Sequence, residues 1–393
     1  MSTLAVAAFC VLLLVPLSLS PVSEFLAALR KDRRLSEPPL DDSARLLFLV
    51  PAHDEEQMIA ACVRSLLEMD YPVENRAVVV VADNCSDCTA DLADAAGALC
   101  LRRKDEEHPG KPHALAWALR QLPVENWDAC VVVDADTTVD PDFARALASR
   151  QPLDSKCVQA YFDVSNEDES WLTRLGSLLA RVRYERHYPL KQAAGLNCPL
   201  TGNGMCIGTG LLVEEGWPAF SLTENWELYA RYTADGVPIE YERRARLYSY
   251  EASALSQAST QRKRWLAGRM WVVRHFARSL LGSRKIGVHQ KVDAFSELTA
   301  LSPILHLAAA AGVAAVAALA LPGHLGVAIA VASLSTLLPI TVKSLAVLRT
   351  HPRRWRLAGS LLLLPGYALW RVFTAVATVE TFRQGRWVKT ERV

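Results

Sequence analysis

Two carboxylates one residue apart, Asp134 and Asp136, follow the apolar run 131–133. At a strand end, residues i and i+2 point to the same side, so this pair can share one hard cation. Such a cation offsets the charge of a diphosphate and makes it a better leaving group. An Asp-x-Asp also arises by chance or as a helix cap; a strand end in an alternating sheet is what gives this one chemical weight. Two more polar clusters follow apolar runs in the same way, Pro51-Ala-His-Asp-Glu-Glu56 and Asp83. A carboxylate there can hydrogen-bond a ribose or a uracil imide, although Asp54 and Glu55 can equally cap the next helix. Gly110-Lys111 opens a helical stretch with a cation suited to phosphate, or simply with a solvated lysine. Gln261-Arg-Lys-Arg264-Trp265 joins an indole that can stack near a sugar or an entering glycan to an arginine that can grip phosphate. With Arg269, Arg274 and Arg278, the same run also suits a basic juxtamembrane helix on anionic lipid.

These residues need a frame that brings them together. Residues 46–50, 78–82, 99–102 and 129–133 read as short apolar strands. Between them, residues 59–69, 89–98 and 114–122 read as helices, the first with Ile59, Cys62, Val63, Leu66 and Leu67 on one face. Strands apolar on both faces, alternating with helices, predict an α/β domain whose parallel sheet is covered on each side. Ligands of such sheets sit beyond the C-terminal strand ends. The polar residues after Val50, Val81 and Val133 all fall at that edge, so one site collects them. Residues 157–279 mix short strands, helices and aromatic side chains.

Charge and hydropathy place the rest of the 393-residue chain at a membrane. Lys+Arg 43 against Asp+Glu 42 leaves a formal charge of +1, which gives no bulk attraction to nucleic acid. The apolar run 4–19 is followed by Arg30, Lys31, Arg33 and Arg34, whereas a cleaved signal peptide carries its charge first. A retained anchor with its N-terminus outside and the next domain in the cytosol is expected; Pro16, Pro21 and the shortness of the run leave a tilted or interfacial helix open. Residues 298–321 and 325–348 read as a spanning hairpin around Pro322-Gly-His324, with cations at both ends. Residues 357–382 are apolar but contain Pro365-Gly366 and Arg371 and have basic flanks, which suits an interfacial helix pair or a re-entrant turn. The expected division is an anchor and juxtamembrane segment at 1–44, a cytosolic domain at 45–279, and a membrane hairpin with interfacial helices at 280–393. The nine cysteines show no framework spacing and are expected as reduced thiols. Cys85-x-x-Cys88 lacks the second pair a zinc site needs.

Taken in order, Pro51–Glu56, Asp83, Gly110-Lys111, Asp134-Ala-Asp136, Thr223-Glu-Asn225 and Gln261-x-x-Arg264-Trp265 resemble the family 2 glycosyltransferases. The resemblance is to the membrane-integrated branch with cellulose, hyaluronan, poly-N-acetylglucosamine and nodulation chitooligosaccharide synthases. It covers roughly residues 46–276 and continues into the hairpin and the terminal Trp387-Val-Lys-Thr-Glu-Arg392. It implies a GT-A fold, a UDP-sugar donor, Mg²⁺ or Mn²⁺, inversion at the anomeric carbon, and a multi-pass inner-membrane protein with its catalytic domain cytosolic. The donor-binding set is then Pro51, His53, Glu55, Asp83, Lys111, Asp134 and Gln261, with the metal on Asp134 and Asp136. The catalytic set is Glu224, Asn225, Arg264 and Trp265. Thr201-Gly-Asn-Gly204 falls where the family's acceptor loop lies, or is a plain tight turn.

One position departs from the family. Asn225 stands where the usual general base is an aspartate, and an amide takes no proton. Glu224 is the expected replacement, Glu227 the fallback. Three readings follow: a processive polysaccharide synthase, a transferase of single sugars to a lipid or lipid-linked acceptor, and a donor-binding subunit of low activity. Membrane lipids are expected partners, nucleic acid is not, and an oligomer is compatible with the sequence.

Overall fold

The computed structural model describes residues 2–30 and 37–384. Lys31, Arg33, Arg34 and the terminal segment with Arg386, Trp387 and Lys389 lie outside the described residues.

The chain opens with α1 (Thr3–Leu29), one continuous helix through Pro16 and Pro21. Its 27 residues reach about 40 Å, longer than a bilayer core. A βα alternation follows: β1 (Leu46–Ala52), α2 (Ile59–Leu67), β2 (Arg76–Asp83), α3 (Thr89–Ala95), β3 (Leu99–Arg103), α4 (Lys111–Leu119) and β4 (Ala129–Val132). These match the expected elements, with ends shifted by local chemistry. Gly97 at φ 99° stops α3 early, and Gly110 at φ 103° lets α4 begin at Lys111. The second half adds β5 (Thr137–Val139), α5 (Phe143–Ala148), β6 (Cys157–Val164), α6 (Trp171–Arg181), α7 (Tyr188–Ala193), β7 (Met205–Gly208), α8 (Glu224–Ala234) and β8 (Ile239–Ser249).

All eight strands form one sheet in the order β3-β2-β1-β4-β7-β6-β8-β5. β3, β2, β1 and β4 are mutually parallel, β7 runs antiparallel beside β4, and β6 and β8 are parallel to each other. Alternate residues of β1 feed two cores. Leu46, Phe48 and Val50 pack with α2 and α5 on one face. Leu47 and Leu49 face α4, α8 and the helices that follow the sheet. That is why β1 is apolar throughout.

After β8 come α9 (Leu255–Gly282), α10 (Val288–Thr299), α11 (Pro303–Ala320), α12 (Gly323–Ser335), α13 (Leu338–Thr350), α14 (Arg354–Ser360) and α15 (Leu364–Gln384). α9 runs through the expected boundary at 279/280, and Val272, Leu280, Ala294 and Leu298 of α9 and α10 are buried in the second core. The apolar run expected from Leu298 therefore starts as a span only at Pro303, because the residue before a proline is pushed out of helical geometry. Thr3–Leu29, Pro303–Ala320 and Arg354–Ala377 are each long and apolar enough to cross a membrane. Gly323–Ser335 and Leu338–Thr350 qualify together but bend by 42°, at Pro339.

Candidate active site

β1, β2 and β4 end at one edge, with Ala52 opposite Ala82 and Leu49 opposite Val132. Just past it, Asp54 and Asn84 both take φ 52°, a region rare for residues with a Cβ and often found at functional sites. Asp83 is buried there. Its carboxylate accepts from Arg103 Nη1 at 2.5 Å and from the Gly110 amide at 3.0 Å. Asn84 Nδ2 also donates to Oδ1 at 3.2 Å, so Oδ2 keeps the lone pair for a further donor. His53 Nδ1 donates to the Asp83 carbonyl at 2.7 Å. Pro51 lies within β1 opposite Val81, and the Glu55 amide donates to Thr89 Oγ1 at 2.7 Å. Arg103 also borders a cleft of about 360 Å³ lined by Asp105, His108, His113, Ala116, Arg120 and Phe220. Burial and the nearby His108 and Arg103 hold His113 below the ordinary imidazole value.

Lys111 crosses from α4 to the carboxylates at the end of β4. Its Nζ donates to Asp134 Oδ1 and to the Gly202 carbonyl, both at 2.6 Å, and lies 3.7 Å from Glu224 Oε1. Burial pushes the ammonium down, but Asp134 and Glu224 outweigh it and raise its pKa. Lys111 thus sits on carboxylates rather than waiting for phosphate, because they are the nearest opposite charges. Asp136 Oδ1 accepts from Ser249 Oγ at 3.1 Å and Thr137 Oγ1 at 3.2 Å. Asn203 accepts from the Asp134 amide at 3.1 Å and donates to Thr137 Oγ1 at 2.7 Å. The two aspartates therefore fit a hard divalent cation. Hydroxyls orient Asp136, Asp134 already receives a cationic group, and water or diphosphate oxygens complete the shell. A second acidic group, Asp54, Cys85 and Asp87, brings its ligand atoms within 4.8 Å of one another. Its carboxylates already accept from Ser86, Thr89 and Glu56 and shape the loop after β2. All nine cysteines are free thiols.

Glu224 opens α8 and is buried. Burial raises its carboxyl above the ordinary value, opposed by Lys111 and by Arg264 across on α9. Asn225 Nδ2 donates to the Leu200 carbonyl at 2.9 Å, so it anchors the loop 200–204. Glu227 accepts from the Phe220 and Ser221 amides at 3.1 and 2.8 Å, which makes it a clamp on its own loop. Gln261, Arg264 and Trp265 lie on one face of α9, at i, i+3 and i+4. Gly268, one turn on, is where α9 meets α8: a Cβ there would lie 2.5 Å from the Thr223 side chain.

Sequence reasoning missed Arg103, Ser249 and Gly268, and took Asn203 only as part of an acceptor loop or tight turn. Arg103 had a signal, being charged at the end of a strand beside β2. Ser249 had none, because β8 is charged and alternating and did not read as a strand.

Residues 44–268 match the family described as "Glycosyltransferase like family 2". With more than half of its length matched, the chain belongs to that family. It is 25% identical over 249 residues to the probable glycosyltransferase YdaM of Bacillus subtilis, covering 59% of this chain and 57% of that one. It is 28% identical over 204 residues to the beta-monoglucosyldiacylglycerol synthase of Trichormus variabilis, covering 49% of this chain and 42% of that one. The chain thus spans about half the length of the curated relatives it matches. The mannosyltransferase PcManGT from Pyrobaculum calidifontis, solved with GDP-Man and Mn2+, aligns at TM-score 0.60 and 17% identity over 91% of this chain and 98% of that one. The sheet and its helices have the GT-A-like α/β fold.

Proposed function

We propose that the chain transfers a single sugar, with inversion, from a nucleoside diphosphate donor to a lipid or lipid-linked acceptor at the cytosolic face of the inner membrane. The expected nucleotide is UDP. The observation that carries this reading is the Glu224 carboxylate, buried and raised in pKa, 3.7 Å from a lysine that also holds Asp134. A base poised nearer neutrality accepts a proton best when the acceptor hydroxyl attacks. Glu224 takes that proton as the hydroxyl oxygen bonds the anomeric carbon and the bond to the diphosphate breaks on the opposite face. Arg264 offsets the charge left on the diphosphate, Lys111 holds Asp134 and Glu224 in place, and Asp83 meets the nucleoside. Mg²⁺ or Mn²⁺ held by Asp134 and Asp136 would supply further charge neutralisation to the leaving group. Trp265 offers its face to a sugar.

A lipid acceptor is supported by two observations. The Trichormus relative is named for making a glucosyldiacylglycerol. Among the described residues three helices are apolar enough to span, or four with the bent pair, few to enclose a growing glycan. The Gln261-x-x-Arg264-Trp265 motif favours a processive synthase instead. Incubating the membrane-embedded protein with radiolabelled donors and sizing the products decides: one shifted lipid supports the proposal, a ladder favours the synthase, and no product favours a donor-binding subunit.

A further inference from the structure

Where α9 meets the apolar helices, two arginines come together. Arg371, midway along α15, is only 6% exposed. Its guanidinium donates to Ser302 Oγ at 3.3 Å, just before α11 begins. The charged group acting on it from α9 is a second arginine, Arg262. Arg262 lies over the Trp265 ring, 4.9 Å from its centroid, and its buried Nε has no hydrogen-bond partner. Among the described residues no carboxylate pairs with either arginine. Two residues further along α9, about 200° around the helix, Arg264 acts on Glu224. One helix therefore presents one arginine to the site and another to α15, with Trp265 beside both.

Neighbouring guanidiniums in a dry setting repel, and an unpaired buried charge is unfavourable. A multivalent oxyanion relieves both, and the guanidinium fork matches phosphate better than any other side chain does. The same three helices, α9, α11 and α15, share an apolar cluster of Leu255, Ala258, Ile304, Tyr367, Ala368 and Trp370. An anionic head held among such residues suits an amphiphile rather than a free ion.

We propose that Arg262 and Arg371 bind the phosphate or diphosphate of the acceptor lipid, so that the hydroxyl-bearing group linked to it reaches Trp265 and Glu224. This rests on the transferase reading above and names the chemistry of its acceptor. The test uses the full chain in phosphatidylcholine nanodiscs with farnesyl diphosphate as probe. Farnesol, inorganic pyrophosphate and discs containing phosphatidylglycerol are the comparison arms, and UDP reports the donor site. Farnesyl diphosphate should bind at least about tenfold tighter than farnesol or pyrophosphate, the scale of one charge-assisted hydrogen bond. Arg371→Gln and Arg262→Gln should each remove that preference and leave UDP affinity unchanged. Equal binding of farnesol, displacement of farnesyl diphosphate by UDP, or unchanged affinity in both variants overturns the site. Loss of the preference in phosphatidylglycerol discs assigns the arginines to bulk anionic lipid and overturns it too. The wild-type comparison needs no variant to fold. Sugar turnover in the same discs tests the transferase reading separately, since the probe lacks the hydroxyl-bearing group that would receive a sugar.

Discussion

Restoring the family's usual aspartate by Asn225→Asp should impair this protein rather than improve it. Asn225 Nδ2 donates to the Leu200 carbonyl at 2.9 Å, at the start of a loop that the site uses twice. Within that loop the Gly202 carbonyl accepts from Lys111 at 2.6 Å, and Asn203 accepts from the Asp134 amide at 3.1 Å. An ionised carboxylate at 225 cannot donate, so the change loses the bond and sets oxygen against oxygen. An unsatisfied partner of this kind costs about 1–3 kcal/mol, which biases the loop away from its native position by roughly 5- to 150-fold. Transfer from a radiolabelled donor should fall accordingly. The midpoint of thermal unfolding should drop by about 2–4 °C for each kcal/mol lost. Protonating the new carboxyl restores a donor, so the structural defect should shrink as pH falls. A variant with higher kcat and unchanged Tm would refute the reasoning, and with it the assignment of Glu224 as base.

The remaining predictions concern the same site and the placement of the domain. Glu224→Gln should lower kcat by roughly 10²- to 10⁴-fold with donor affinity little changed. Because burial raises the Glu224 pKa, the acid limb of kcat should lie above the ordinary glutamate value, with activity rising as pH climbs through it; a limb at or below that value contradicts the assignment. Asp136→Asn should abolish turnover and leave the fold intact, and full activity in that variant or in excess chelator would exclude metal at this pair. Gly268→Ala puts a methyl 2.5 Å from the Thr223 side chain, so α9 must shift and kcat should fall about 10²-fold, the scale of a 1 Å misplacement; unchanged kcat would show that the α8–α9 contact does not position the base. A cysteine introduced near Asp168 should resist an impermeant reagent in intact cells, and labelling equal to an extracellular control would place the domain outside.

Half of this fold was legible because three neighbouring strands are buried on both faces. Leu46–Ala52, Arg76–Asp83 and Ala129–Val132 are nearly unbroken apolar runs, and each delivers its polar residues to the same edge. That is how Asp83, Asp134 and Asp136 could be placed together from sequence. The other strands hide for physical reasons. β5 has three residues, and β8 carries Glu240, Glu242, Arg243 and Arg244, some pointing to solvent and some into ion pairs with Arg150 and Lys156. What they contribute to the site stayed hidden with them: Ser249 bonds Asp136 across 113 positions of sequence. Asn225 was legible only as a departure. Its bond to Leu200 turns a missing base into a loop anchor, a role no residue type announces.

The link between the site and the membrane helices follows from charges that need one another. Lys191 of α7 and Asp293 of α10 are almost fully buried and pair at 2.5 Å. Ser23 of α1 donates to the other Asp293 oxygen at 2.9 Å. His187 lies 3.2 Å from Glu24 of α1 and 2.5 Å from Glu297 of α10, while Lys343 of α13 lies 2.6 Å from Glu24. Burial pushes the His187 imidazole down, but Glu297 and Glu24 outweigh it and raise its pKa. Leaving a buried charge without its partner costs about 3–5 kcal/mol, so peeling α1 away strands Lys343 and also takes Glu24 from His187 and the Ser23 hydroxyl from Asp293. The first helix is therefore part of the domain's base, although a line drawn by composition at residue 44 separates them. α10 inherits that fixed position, and Arg269 of α9 donates to the carbonyls of Glu297, Leu298 and Ala300 at its end. The helix that brings Arg264 to Glu224 is thereby held at one height against the apolar helices, as the proposed transfer from a soluble donor to a lipid acceptor requires.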